Sequence, residues 1–143
     1  MIRQFENLQP EEKELLFKAP ALISVYESSS LNEINSTRKA DAIKLAHLRT
    51  FAATPLLIPF YMEVEKDFKK HFEEIAKKYA PLDEEKRAEL KKEMESIEPV
   101  LNKLDRAYSQ TLRSSFNKFA RHVQHAGQSV LEYFIFPLPM PGL

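Results

Sequence analysis

Apolar residues recur along this chain at steps of three and four, the spacing that gathers side chains on one face of an α-helix. The longest run is Ile97, Leu101, Leu104, Tyr108, Leu112, Phe116, Phe119 and Val123. It predicts one helix from Ile97 to about Ala126, with Gly127 placed to end or kink it. A second stripe, Phe60, Val64, Phe68, Phe72, Ile75 and Tyr79, predicts a helix that Thr54-Pro55 opens, Pro59 restarts and Ala80-Pro81 ends. Pro10 followed by Glu11 and Glu12 marks an N-terminal helix, its acids set against the positive end of the dipole. Pro20 should restart or kink that helix. Beyond it, Ala21-Leu22-Ile23-Ser24-Val25-Tyr26 is apolar on nearly every side and reads as buried.

Two further helices complete the pattern. Asn35 or Ser36 can cap one from about Thr37 to Ala52. Asp83, with Glu84 and Glu85 after it, can cap another that reaches about Ser96 and lies on the surface. The whole predicts an all-α, single-domain bundle of five to seven helices over residues 1–143, with Phe60–Tyr79 and Ile97–Ala126 as two long antiparallel members. Its core is expected to contain Leu22, Val25, Ile43, Leu45, Phe51, Phe60, Val64, Phe68, Ile75, Leu104, Leu112, Phe116 and Phe119.

Composition narrows the classes of function. Only Gly127 and Gly142 are glycines, so sheet hairpins and phosphate-cradling loops are poorly served. With no cysteine there is no thiolate nucleophile and no cysteine zinc site. Basic and acidic residues number 21 each, without the excess of positive charge that phosphate binding draws on, and no nucleic-acid partner is expected. The first residues lack the apolar core of a signal peptide, and no uncharged apolar run approaches the ~20 residues of a membrane span. A cytoplasmic location is the expectation, with peripheral membrane contact left open.

Charge is unevenly placed all the same. Residues 63–98 hold 12 acids and 9 bases, whereas residues 100–143 hold 5 bases and 2 acids. Lys103, Arg106, Arg113, Lys118 and Arg121 fall opposite the long stripe, a weakly basic face.

Histidines are the only candidates for metal chemistry. His122 and His125 are three apart on one predicted helix, and a bundle metal site would draw His71, Asp67 and Glu74 from another. The ladder Glu63, Asp67, His71 and Glu74 is also what the charged flank of an amphipathic helix looks like, and no Glu-x-x-His pair exists. His47 lies on a mostly apolar helix, where a histidine is ordinarily a hydrogen-bonded core residue.

The C-terminal stretch is the least ordinary. Nine of the fourteen residues from Val130 to Leu143 are large and apolar, Glu132 alone is charged, and Pro137, Pro139 and Pro141 impose an extended path. Val130, Leu131, Tyr133, Phe134, Ile135, Phe136, Leu138 and Met140 either cap the bundle's own apolar end or contact a second subunit or a partner.

Three segments resemble the front half of the tellurite-resistance TerB-like helical domain: Lys18-Ala19-Pro20-Ala21-Leu22-Ile23, Leu31-Asn32-Glu33-Ile34-Asn35 and Ala42-Ile43-Lys44-Leu45-Ala46-His47. In that family an acidic loop similar to an ion-binding turn joins two helices. Here Glu33 is the one carboxylate of the loop, Asn32 stands in the glycine position and Asn35 in that of the second aspartate. The resemblance implies an all-helical fold and a tie to stress response or membrane-associated complexes, and no metal ligand or cofactor is carried over. The functional expectation is a non-enzymatic interaction or scaffold protein. The alternatives are a helical-bundle metal protein or metalloenzyme using His122, His125 and His71, and a ligand pocket between helices lined by Phe51, Phe60 and Tyr61.

Overall fold

Pro20 sits in the middle of an unbroken 19-residue helix, Pro10–Ser28 (α1), and no restart occurs there. The carbonyl of Pro20 accepts a 2.9 Å hydrogen bond from Ser24 Oγ, which binds a small hydroxyl into an otherwise dry stretch. In the computed structural model, residues 2–28, 54–81 and 83–124 are described. Four helices longer than ten residues account for most of them: α1, α2 (Ile58–Lys78), α3 (Glu84–Glu95) and α5 (Arg106–Gln124), with a short α4 (Ile97–Leu101) between the last two.

 No strand occurs among the described residues. The segment Thr37–Ala52, with Ile43, Leu45 and Phe51, lies outside them.

Each start and stop has a local cause. A 3-10 turn, Pro55–Leu57, leads into α2, and Pro59 occupies its first turn, where a missing N–H costs nothing. Asp83 accepts a 2.8 Å hydrogen bond from the Lys86 N–H and opens α3. The single long helix expected from Ile97 is broken at residues 102–105. Leu104 N–H bonds back only three residues, to Leu101 O at 3.1 Å, and Asp105 then caps a new helix by accepting the Tyr108 N–H at 3.1 Å. The stripe survives the break: Ile97, Leu101, Leu104, Tyr108, Leu112, Phe116 and Phe119 are all buried.

Helix α1 is the centre of the packing, set against α2, α3, α4 and α5. Every residue from Ala19 to Glu27 is buried, which is why its apolar residues follow no single face. Helices α2 and α5 both pack on α1 and touch each other through ring contacts, Phe60 with Phe116 and Phe68 with Phe119. Of the expected core, Leu22, Val25, Phe60, Val64, Phe68, Ile75, Leu104, Leu112, Phe116 and Phe119 are buried.

Candidate functional site

The residues ahead of α1 form part of the core. Ile2, Phe5 and Leu8 are buried, and a 3-10 turn at Arg3–Phe5 holds them through Phe5 N–H to Ile2 O at 3.0 Å and Leu8 N–H to Phe5 O at 3.0 Å. The Phe5 ring lies 5.5 Å from Phe17, 6.1 Å from Phe60 and 5.8 Å from Tyr108, the last two edge-on. Phe17 stacks on Phe60 at 5.6 Å. This aromatic cluster makes the floor of a cleft of about 540 Å³ between the N-terminal turn, α1 and α2.

Ile2, Phe5, Phe17, Pro59 and Met62 give the cleft its apolar lining, and Lys13, Glu63 and Lys66 its charged rim. The helical periodicity explains the grouping. Lys13 and Phe17 are one turn apart on α1, and Pro59, Met62, Glu63 and Lys66 repeat at three and four on α2. Met62 is 53% exposed, a large apolar side chain left in water at the mouth. Lys66 pairs with Glu63 at 2.9 Å, while the Lys13 ammonium has no ion pair or hydrogen bond among the described residues. Phe60 and Tyr61, expected to line a pocket with Phe51, do not line this cleft, and Phe51 lies outside the described residues. Those two side chains are fully buried, and their neighbours Pro59 and Met62 face the opening. The three-residue spacing of Ile2, Phe5 and Leu8 was the sequence signal for the missing wall. A second recess of about 340 Å³ is polar, lined by Thr54, Gln110, Thr111, Ser114, Ser115 and Lys118 beside Leu57.

The charged clusters elsewhere are internal ties. Arg113 belongs to the expected basic face but is only 5% exposed. Its Nε donates to Ser109 Oγ at 3.1 Å, its Nη2 to Asn102 Oδ1 at 2.7 Å and its Nη1 to Glu98, across the α4–α5 break. Lys103, from the same face, pairs with Glu12 on α1. The basic stripe read from the sequence is therefore dismantled at two of its five members.

Glu93 on α3 ties three elements together, through Lys18 at 3.0 Å, Lys78 at 3.4 Å and the Tyr79 hydroxyl. Burial raises its carboxyl, but the hydrogen bonds from Tyr79 and Lys18 outweigh that, and Glu93 titrates below its ordinary 4.5. A carboxylate depressed in the folded state contributes stability above its unfolded pKa and loses it as pH falls through the folded one. Glu93→Gln is therefore expected to cost about 1 kcal/mol at pH 7. Its melting temperature should also fall less steeply than the parent's as pH drops below 4.5. Parallel melting curves of the two proteins against pH would show the tie to be idle.

Among the described residues no three His, Asp or Glu side chains group to hold a metal ion. His71 is half-buried with Nδ1 unpartnered, and burial holds its imidazole below the usual 6.5 against the pull of Asp67 and Glu74. Asp67 and Glu74 are themselves exposed. The side chain of His122 lies outside the described residues, as do His47, His125, the Glu33 loop and the apolar stretch Val130–Met140 with its candidate contacts. No described helix is long and apolar enough to cross a membrane. Comparison with protein families, characterised proteins and solved structures finds no match to this chain.

Proposed function

We propose that this chain is a non-enzymatic binding protein whose cleft between the N-terminal turn, α1 and α2 receives an apolar group of its ligand. One observation carries the reading: an apolar cleft of about 540 Å³ stands open with Met62 in its mouth. That volume falls among ordinary ligand sites, which are apolar with a few charged groups. Methionine suits such a mouth because its unbranched, polarizable side chain fits varied shapes. The reading keeps the interaction or scaffold role, TerB-like in shape and cytoplasmic, in a bundle of five to seven helices. On composition, residues 130–143 are a further contact for a partner or a second copy.

The test is a titration with octan-1-ol, a neutral apolar probe, followed by NMR of the methionine methyl groups. A saturable shift at Met62 that weakens about tenfold or more in Met62→Lys is the expected result, since a charge placed in an apolar mouth must be desolvated when the probe enters. Met62 is already half in water, so the substitution leaves the core intact. A Met62 signal that never moves, or moves without saturating, rejects the reading.

A further inference from the structure

The rim of the cleft carries a charge that no described residue pairs with. Three ionised side chains line it, and two of them, Glu63 and Lys66, satisfy each other at 2.9 Å. Lys13 is the third, and it differs from the other lysines that tie α1 and the α4–α5 break to neighbouring elements. Lys18 meets Glu93 at 3.0 Å and Lys103 meets Glu12, whereas no carboxylate among the described residues pairs with Lys13. Lys13 is half-buried, so its ammonium is partly shielded from water, and an incoming anion gains more there than on an open surface.

We infer that the cleft's ligand is a small amphipathic carboxylate, its apolar body on Phe5, Phe17 and Met62 and its anionic end on the Lys13 ammonium. This rests on the binding role proposed above and adds the charge. The rim sums to one net positive charge, from Lys13, Lys66 and Glu63, and a carboxylate supplies the missing partner. A cation would meet Lys13 and gain nothing, since Glu63 is already paired. A neutral apolar molecule would fill the floor and leave Lys13 as it is. Lysine's compact charge on a flexible four-carbon stem can follow ligands of differing length, so selection falls on charge and apolar bulk more than on shape.

Three probes with the same eight-carbon chain separate these contributions: octanoate, octan-1-ol and octylammonium, each titrated against the full chain with the Met62 methyl as reporter. Octanoate should bind about fivefold or more tightly than octan-1-ol, the gain of one charge-assisted contact at a partly shielded site. Octylammonium should bind most weakly. The octanoate preference should shrink as salt rises, because the ammonium remains accessible to screening ions. Lys13→Gln should bring octanoate to the level of octan-1-ol and leave octan-1-ol within twofold of the parent. The Lys13 ammonium has no partner to lose among the described residues, so the variant folds as the parent does, and an unchanged melting curve verifies it.

The outcomes divide cleanly. If octan-1-ol binds and octanoate binds no better, or if Lys13→Gln keeps the octanoate preference, the carboxylate inference is overturned while the apolar cleft stands. If none of the three probes moves Met62, the binding role falls and this inference falls with it.

Discussion

Replacing Phe60 by alanine is expected to cost about 4 kcal/mol of stability, close to half of what a domain of this size has to lose. The ring is fully buried and touches four others: Tyr61 at 5.0 Å, Phe17 at 5.6 Å, Phe116 at 5.9 Å and Phe5 at 6.1 Å. Truncation removes the transfer free energy of the ring and leaves a void, and surrounding aromatic side chains cannot fill it without leaving their rotamers. Each lost ring pair adds about 0.5–1.5 kcal/mol that burial alone does not count. Phe60→Leu keeps much of the volume and should cost roughly half as much.

Urea unfolding of the parent and both variants, with midpoints converted at a common slope, measures the difference. A loss below about 1.5 kcal/mol in Phe60→Ala would mean that the cluster is not the keystone of the packing. The variant has a second readout. Phe17 stacks on Phe60, and without that support the cleft floor loosens, so apolar probes should bind less tightly even where Phe60→Ala remains folded.

Arg113→Ala is the second large effect, about 3 kcal/mol, and its origin is polar. The guanidinium is buried and bridges Glu98, Asn102 and Ser109, so it joins α4 to α5 over the break that follows Leu101. Removing it leaves the buried Ser109 Oγ and the half-buried Glu98 without this donor, and the cost of an unmatched buried group exceeds the net value of a matched one, whereas the exposed Asn102 turns to water. Glu98 is about one-third exposed at 34% and can recover some hydration, which holds the loss toward the lower end of the range for buried pairs.

Arg113→Lys retains the charge but lacks the planar fork, and cannot reach three acceptors in three directions at once. It should recover less than half of the loss. Arg113→Met, apolar and of similar length, should do no better, because it replaces none of the three hydrogen bonds. Calorimetric melting gives the comparison, at roughly 3 °C per kcal/mol for a chain of this length. A drop of less than about 3 °C in Arg113→Ala would show that α4 and α5 hold together without the bridge.

The helical class and most of the buried positions follow from periodicity. A stripe such as Phe60, Val64, Phe68, Phe72 and Ile75 buries one face whatever it packs against, and all five are buried. Ile97 to Phe119 shows the reach and the limit of that logic. Its buried positions were legible, but the break was not, because a step of three serves a 3-10 turn as well as an α-helix. Asp105 decides the matter by capping the Tyr108 N–H, and an aspartate between two apolar positions does not announce itself as a cap. The cleft was not legible in the same way. Phe60 and Tyr61 stood out as aromatic, yet it is the orientation of α2 against α1 and the N-terminal turn that turns them inward and Pro59 and Met62 toward the opening.

By itself, then, the amino-acid order determined that the described elements are helices, that Pro10, Pro55 and Asp83 mark helix starts, and which faces avoid water, since these depend on neighbours within about one turn. Only the tertiary structure decided that α1 is central, that Ile2 and Phe5 close a cleft, and that Arg113 turns inward while Lys13 stands at the rim with no carboxylate partner among the described residues. Those outcomes hang on partners far away in the chain, as Glu12 and Lys103 are, and local spacing carries no record of who meets whom.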